Sequence, residues 1–111
     1  MYQIFLAEHF NRQVKGFLKK DPELFGDLIV ALKEFKKEND ISLGASTYKI
    51  RIGSKGAGRG KSGAYRMIVL LIEVRSIITP LTLYAKSDRE TISRQEIMHH
   101  AAIIKRELLL S

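Results

Sequence analysis

Hydrophobic and polar positions change their period midway along this chain. Phe10, Val14, Phe17 and Leu18 recur at helical spacing, and Leu24, Leu28, Ala31, Leu32 and Phe35 repeat the pattern. Between the two runs, Asp21-Pro22-Glu23 is a helix-start signal: a capping Asp, a Pro at the first helical position, and an acid in the first turn. The two predicted helices form a hairpin with one apolar side. The second ends in Lys36-Lys37-Glu38-Asn39-Asp40, and Ile41 to Thr47 reads as a loop. Ahead of the hairpin, Tyr2 to Ala7 is a short β-rich run.

From Tyr48 onward the period is two. Tyr48, Ile50 and Ile52 point one way, Lys49 and Arg51 the other. Ala64 to Val74 is apolar on both faces, as a central strand would be. Ile77 to Lys86 alternates again, with Leu81, Leu83 and Ala85 on one side and Thr82, Tyr84 and Lys86 on the other. Pro80 inside that run implies an edge position or a bulge. Ser93-x-x-Glu96 is a capping-box signature that opens a last helix over 94–110. The order β-α-α-β-β-β-α predicts an α+β fold: an N-terminal strand, a helix hairpin, an antiparallel sheet with the helices on one face, and a C-terminal helix.

Charge sharpens this picture. The 111 residues have a net charge of +7, and six positive charges (Lys49, Arg51, Lys55, Arg59, Lys61 and Arg66) stand between Ile41 and Ile72, where no acid occurs. Such a concentration is the electrostatic footprint of a polyanion, with nucleic acid as the leading partner. If the apolar sides of the strands pack on the hairpin, then Lys49, Arg51, Tyr84 and Lys86 become neighbours on the opposite face, with Arg66 leading the central strand. The expected surface is open, concave and basic, with one aromatic in it.

Composition narrows the classes further. The length suits one domain spanning 1–111. The absence of cysteine excludes disulfides, thiolate metal sites and cysteine nucleophiles. No apolar run approaches the roughly 20 residues of a membrane helix, and Tyr2–Ala7 is too short for a signal peptide, so a soluble cytoplasmic protein is expected, without contact to a membrane. His9, His99 and His100 lack ligand spacing, and no metal or other cofactor is expected. The stripe Ile97, Ala101, Ile104 and Leu108 reads as core, broadened by Leu109 and Leu110 toward a possible partner contact.

Two patterns mislead. Gly58-Arg-Gly-Lys-Ser-Gly63 satisfies G-x-G-x-x-G, but a strand follows it where the dinucleotide fingerprint requires a helix. Gly60-Lys61-Ser62 resembles the end of a P-loop, but the glycine required five positions earlier is Lys55. The glycines of Gly53–Gly63 read instead as a connection between two strands.

Taken in order, Tyr48-Lys-Ile-Arg-Ile52, the glycine- and lysine-rich loop, Gly63-Ala-Tyr-Arg-Met67 and Leu83-Tyr-Ala-Lys-Ser-Asp-Arg-Glu-Thr-Ile-Ser93 resemble the RelE superfamily of bacterial type II toxins. The Lys-Ser-Gly-x-x-Arg block and the Leu-Tyr-x-Lys…Ile-Ser ending resemble its HigB-like branch. The resemblance implies a toxin that cuts messenger RNA in the ribosomal A site and is neutralised by a cognate antitoxin, with messenger RNA and ribosomal RNA as its nucleic-acid partners. Cleavage in that family is attack of the ribose 2′-hydroxyl on the adjacent phosphate. By the same resemblance, Lys49 and Arg51 fall on paired basic positions, Arg66 on a strand-leading arginine, and Lys86 on a catalytic arginine. The tyrosine that many relatives carry falls near Ile92 here, and Tyr84 is the candidate substitute.

The chemistry agrees with the residue types. Arginine does not lose its proton, so Arg51 and Arg66 suit phosphate clamping and charge stabilisation. A lysine crowded by cations titrates lower, which makes Lys49 the candidate base. Lys86 suits the acid or a phosphate ligand, and Tyr84 a stacking platform. Lys55, Arg59 and Lys61 suit RNA anchoring. A non-catalytic nucleic-acid-binding module and a ParE-like toxin directed at gyrase are the alternatives.

Overall fold

The computed structural model describes residues 1–53 and 64–111. Lys55, Arg59, Lys61 and nearly all of the glycine-rich segment therefore lie outside the described residues. The elements are β1 (Gln3–Ile4), α1 (Glu8–Lys20), α2 (Leu24–Lys33), β2 (Ile41–Gly44), β3 (Thr47–Ile52), β4 (Tyr65–Ile72), β5 (Ile77–Ala85) and α3 (Arg94–Leu110), with a 3₁₀ turn over Glu73–Arg75. The strands form one sheet in the order β1-β5-β4-β3-β2. It is mixed, because β1 runs parallel to β5 while every other pair is antiparallel.

Both helices of the hairpin form as their apolar spacing predicts, with Phe10 and Val14 buried on α1 and Leu24, Leu28 and Leu32 on α2. The start of α2 lies later than the Asp-Pro-Glu signal. Asp21 instead closes α1, its N–H donating to the Phe17 carbonyl at 2.9 Å, and its own carbonyl accepts from Leu24 N at 3.0 Å. The Ser93–Glu96 capping box opens α3 as expected, with both reciprocal bonds formed.

Two expectations are corrected. The segment expected as a loop over 41–47 contains β2, an edge strand paired with β3. Its turn places Ala45 and Ser46 at φ of 52° and 62° after Gly44 at 88°. Only the glycine announces such a turn, since Ala and Ser adopt positive φ at a cost. The Ser46 carbonyl accepting from Leu71 N at 2.9 Å holds it in place.

Second, the helices do not share one face. Phe17 meets Tyr65 edge-on at 5.5 Å, and Phe35 meets Tyr48 at 5.2 Å. Ile52 is opposite Tyr65 in the β3–β4 register, so both contacts lie on one side of the sheet. The other side carries Thr47, Ile68 and Leu70, and α3 crosses it there. Thr47 shares a cleft with Ile97 and Met98, and Leu70 shares one with Lys105 and Leu108. Ile97, Ala101 and Ile104 are buried, as the helical stripe requires.

The expectation for Pro80, an edge position or a bulge, is met by the bulge, since β5 lies between β1 and β4. The register steps between Ile68, opposite Thr82, and Val69, opposite Pro80, leaving Leu81 extra. Ile78 presents its carbonyl to Phe5 N at 3.0 Å on the outer side. By alternation Pro80 faces the same outer side, where β1 has already ended, so its missing N–H breaks no ladder bond. Gln13 of α1 closes that outer edge instead: its Nε2 donates to the Leu81 carbonyl at 2.9 Å, and its Oε1 accepts from the Thr82 hydroxyl at 2.6 Å.

α1 and α3 meet beyond the β1 edge. His9 Nε2 and His100 Nδ1 lie 2.8 Å apart, sharing one proton in a hydrogen bond. The Glu107 carboxylate accepts from the Glu8 and His9 backbone N–H groups at 2.7 and 2.9 Å, satisfying two donors at the start of α1.

Candidate nucleic-acid interface

The strand register decides which basic residues meet. Arg51 is directly opposite Arg66, and Arg66 is directly opposite Tyr84. Their side chains therefore form one row across β3, β4 and β5, on the face of the sheet away from the helix hairpin. The neighbouring row is Lys49, Ile68 and Thr82. Lys86 continues the ladder by one residue, its N–H donating to the Ala64 carbonyl at 2.9 Å. The five residues expected together from sequence are thus brought to one end of one face.

Their exposure differs from the expected open surface. Arg51 and Lys86 are exposed and Lys49 is half-buried, whereas Arg66 is 8% exposed and Tyr84 only 6%. Arg66 Nη1 donates to the Tyr65 carbonyl at 3.1 Å. Two like charges directly opposite on adjacent strands disfavour each other, and an anion bound between Arg51 and Arg66 would relieve that repulsion.

Tyr84 keeps the predicted side of β5, but its ring is not presented to solvent. The segment after β5 turns back over it, and the Arg89 guanidinium stands 5.7 Å from the ring centroid. The Tyr84 hydroxyl is buried and has no hydrogen-bond partner among the described residues. Burial pushes its pKa above the usual phenol value, against the opposing influence of Arg66 and Arg89.

Arg89 escaped the sequence reading. Its Nη2 and Nη1 donate to the two Glu96 oxygens at 2.6 and 3.0 Å, and its Nε donates to the Thr91 carbonyl at 2.8 Å. The bond from Arg89, with further bonds from Ser93, lowers the Glu96 carboxyl to about 2. The capping box marks Glu96 in the sequence, but nothing local marks Arg89 as its partner seven residues earlier. Among the described residues, no group of three or more His, Cys, Asp or Glu is placed to hold a metal ion. No helix among them is long and apolar enough to cross a membrane.

The family described as the RelE toxin of the RelE/RelB toxin–antitoxin system matches residues 2–111 of the sequence. The chain belongs to the RelE toxin family. As a family member it is the toxin of a toxin–antitoxin pair, and an antitoxin is its partner. Solved structures agree at the level of fold. A free-state mutant of E. coli toxin RelE aligns with 17% identity and a TM-score of 0.50, covering 92% of this chain and 95% of that one. The isolated E. coli RelE toxin aligns with 16% identity and a TM-score of 0.50, covering 93% of this chain and 99% of that one. No curated protein matches the sequence. The shared architecture is the α+β arrangement described above, with its sheet and C-terminal helix.

Proposed function

We propose that this RelE-family toxin is a ribosome-dependent messenger-RNA endonuclease, acting as a single domain in the cytoplasm. The observation that carries the reading is the row Arg51–Arg66–Tyr84, flanked by Lys49 and Lys86, on a stretch of sheet without acidic residues. Arg51 and Arg66 bind the scissile phosphate and stabilise the charge that builds on it. Lys49 takes the proton from the ribose 2′-hydroxyl, whose oxygen then bonds to phosphorus. The P–O5′ bond breaks as Lys86 supplies a proton to the leaving oxygen. The products are a 2′,3′-cyclic phosphate and a free 5′-hydroxyl. General acid and base steps of this kind are each worth about 10²–10⁴ in rate.

Ring and hydroxyl of Tyr84 are both covered, which argues against stacking on a base; its hydroxyl, near Arg66, is proposed to meet RNA only once binding uncovers it. Lys55, Arg59 and Lys61 are proposed to anchor ribosomal RNA, and the Lys-Ser-Gly-x-x-Arg block supports the HigB-like branch. Induced expression with a genome-wide map of messenger-RNA ends tests the reading. Growth arrest with new in-frame cuts, both absent in Arg66→Ala, is expected. Arrest without cuts would sink it and point to a gyrase-directed toxin, and neither arrest nor cuts would point to a binding module.

A further inference from the structure

Arg89 occupies an unusual position at the margin of the basic row. It reaches back over Tyr84, the neighbour of Arg66, while both of its terminal nitrogens are engaged by Glu96. A guanidinium fork that fits a carboxylate at two points also fits a phosphate at two points. The Glu96 carboxylate therefore holds the place that a backbone phosphate of bound RNA would take. The pair is open to water, with side-chain exposures of 40% and 44%. Exposed ion pairs hold their partners weakly, so a competing anion can exchange with the carboxylate. Glu96 also has a second role to fall back on, since its carboxylate accepts from the Ser93 backbone N–H and its own N–H bonds the Ser93 hydroxyl at 3.1 Å.

Resting on the RNA-cleavage reading above, we infer that Arg89 is a further phosphate-binding residue of this surface, held in reserve by Glu96, and that RNA binds there by displacing the Glu96 carboxylate from the guanidinium. Glu96 then acts as an internal competitor that sets how tightly the surface holds RNA. The competing account is that Arg89 only staples the turn after β5 to the first turn of α3.

The two accounts separate in the salt dependence of binding to a short fluorescein-labelled single-stranded RNA, measured with the full chain. Glu96→Gln removes the competing charge but keeps a capping-box side chain at its place, so helix α3 still starts at Arg94. The expected result is binding tightened by about 3- to 10-fold, since a charge-assisted bond to the competitor is lost. Arg89→Ala should weaken binding and flatten the slope of log affinity against log salt by about 0.7, one phosphate contact on a single strand. The double variant should behave like Arg89→Ala. Binding that is unchanged or weaker in Glu96→Gln, or an unchanged slope in Arg89→Ala, overturns the exchange and leaves Arg89 a staple. If the unaltered chain shows no salt-dependent binding that Arg66→Ala reduces, the RNA reading falls, and the exchange falls with it.

Discussion

A buried hydroxyl without a partner is a costly group to keep. Tyr84 Oη is such a group among the described residues, and it stands in the row with Arg66 and Arg51. An unsatisfied buried hydroxyl costs a fold about 1–3 kcal/mol. Tyr84→Phe is therefore expected to leave the midpoint of urea unfolding unchanged or raised, by up to about 1 kcal/mol. Under the proposed function, in which bound RNA uncovers the hydroxyl, the same variant should lose cleavage in cells. A variant less stable than the parent would mean that the hydroxyl serves the fold. Tyr84 also illustrates how far residue-level reading reaches. Alternation along β5 placed it on the basic face, and it is there; its cover by Arg89 depends on a chain reversal that alternation does not encode.

Among the elements, β5 is the most demanding to build. It is bordered by a two-residue β1 on one side and by β4 on the other, and it contains a proline and a bulge. Gln13 makes the arrangement tolerable by serving the carbonyl of Leu81 and the hydroxyl of Thr82 from a neighbouring helix. Gln13→Ala is expected to destabilise the fold by about 1–3 kcal/mol, the cost of leaving buried polar groups unserved, measured by chemical denaturation. A loss within error would show that water replaces the side chain. The apolar spacing of α1, α2 and α3 and the capping box were legible because each depends on residues within a few positions of one another. The strand β2 was not legible, because Ile41-Ser-Leu-Gly44 is too short to show a period and its turn relies on Ala45 and Ser46 at positive φ.

Across the whole molecule, helices that pack on opposite faces of the sheet are tied together at its β1 edge. His9 and His100 share a hydrogen bond there, beside Glu107, Arg12, His99 and Glu96. Burial lowers both pKa values, and the Arg12 and histidine charges nearby add to it, while Glu107 and Glu96 act in the opposite direction. The unfolded chain therefore binds protons at a higher pH than the folded one. The contribution of the pair to stability is present above the ordinary histidine range near 6.5 and is lost as pH falls below it. The unfolding midpoint of the natural sequence should drop between pH 7.5 and pH 5.5, and drop less in the double variant H9Q/H100Q. Equal drops in the two proteins would remove the histidines as the cause, since the carboxylates are common to both.

What the sequence by itself determined is everything carried by short-range pattern. Period and caps specify the helices, alternation assigns Lys49, Arg51 and Tyr84 their sides of the strands, and the acid-free window marks the charged face. The tertiary structure decided what depends on long-range register and on where the chain returns. It set Arg66 directly between Arg51 and Tyr84, laid β1 parallel to β5, sent α3 across the face opposite the hairpin, and closed Arg89 onto Glu96 above Tyr84. The physical reason is the range of the interactions: side-chain direction follows from the local backbone, whereas neighbours across a sheet are chosen by the packing of the whole core.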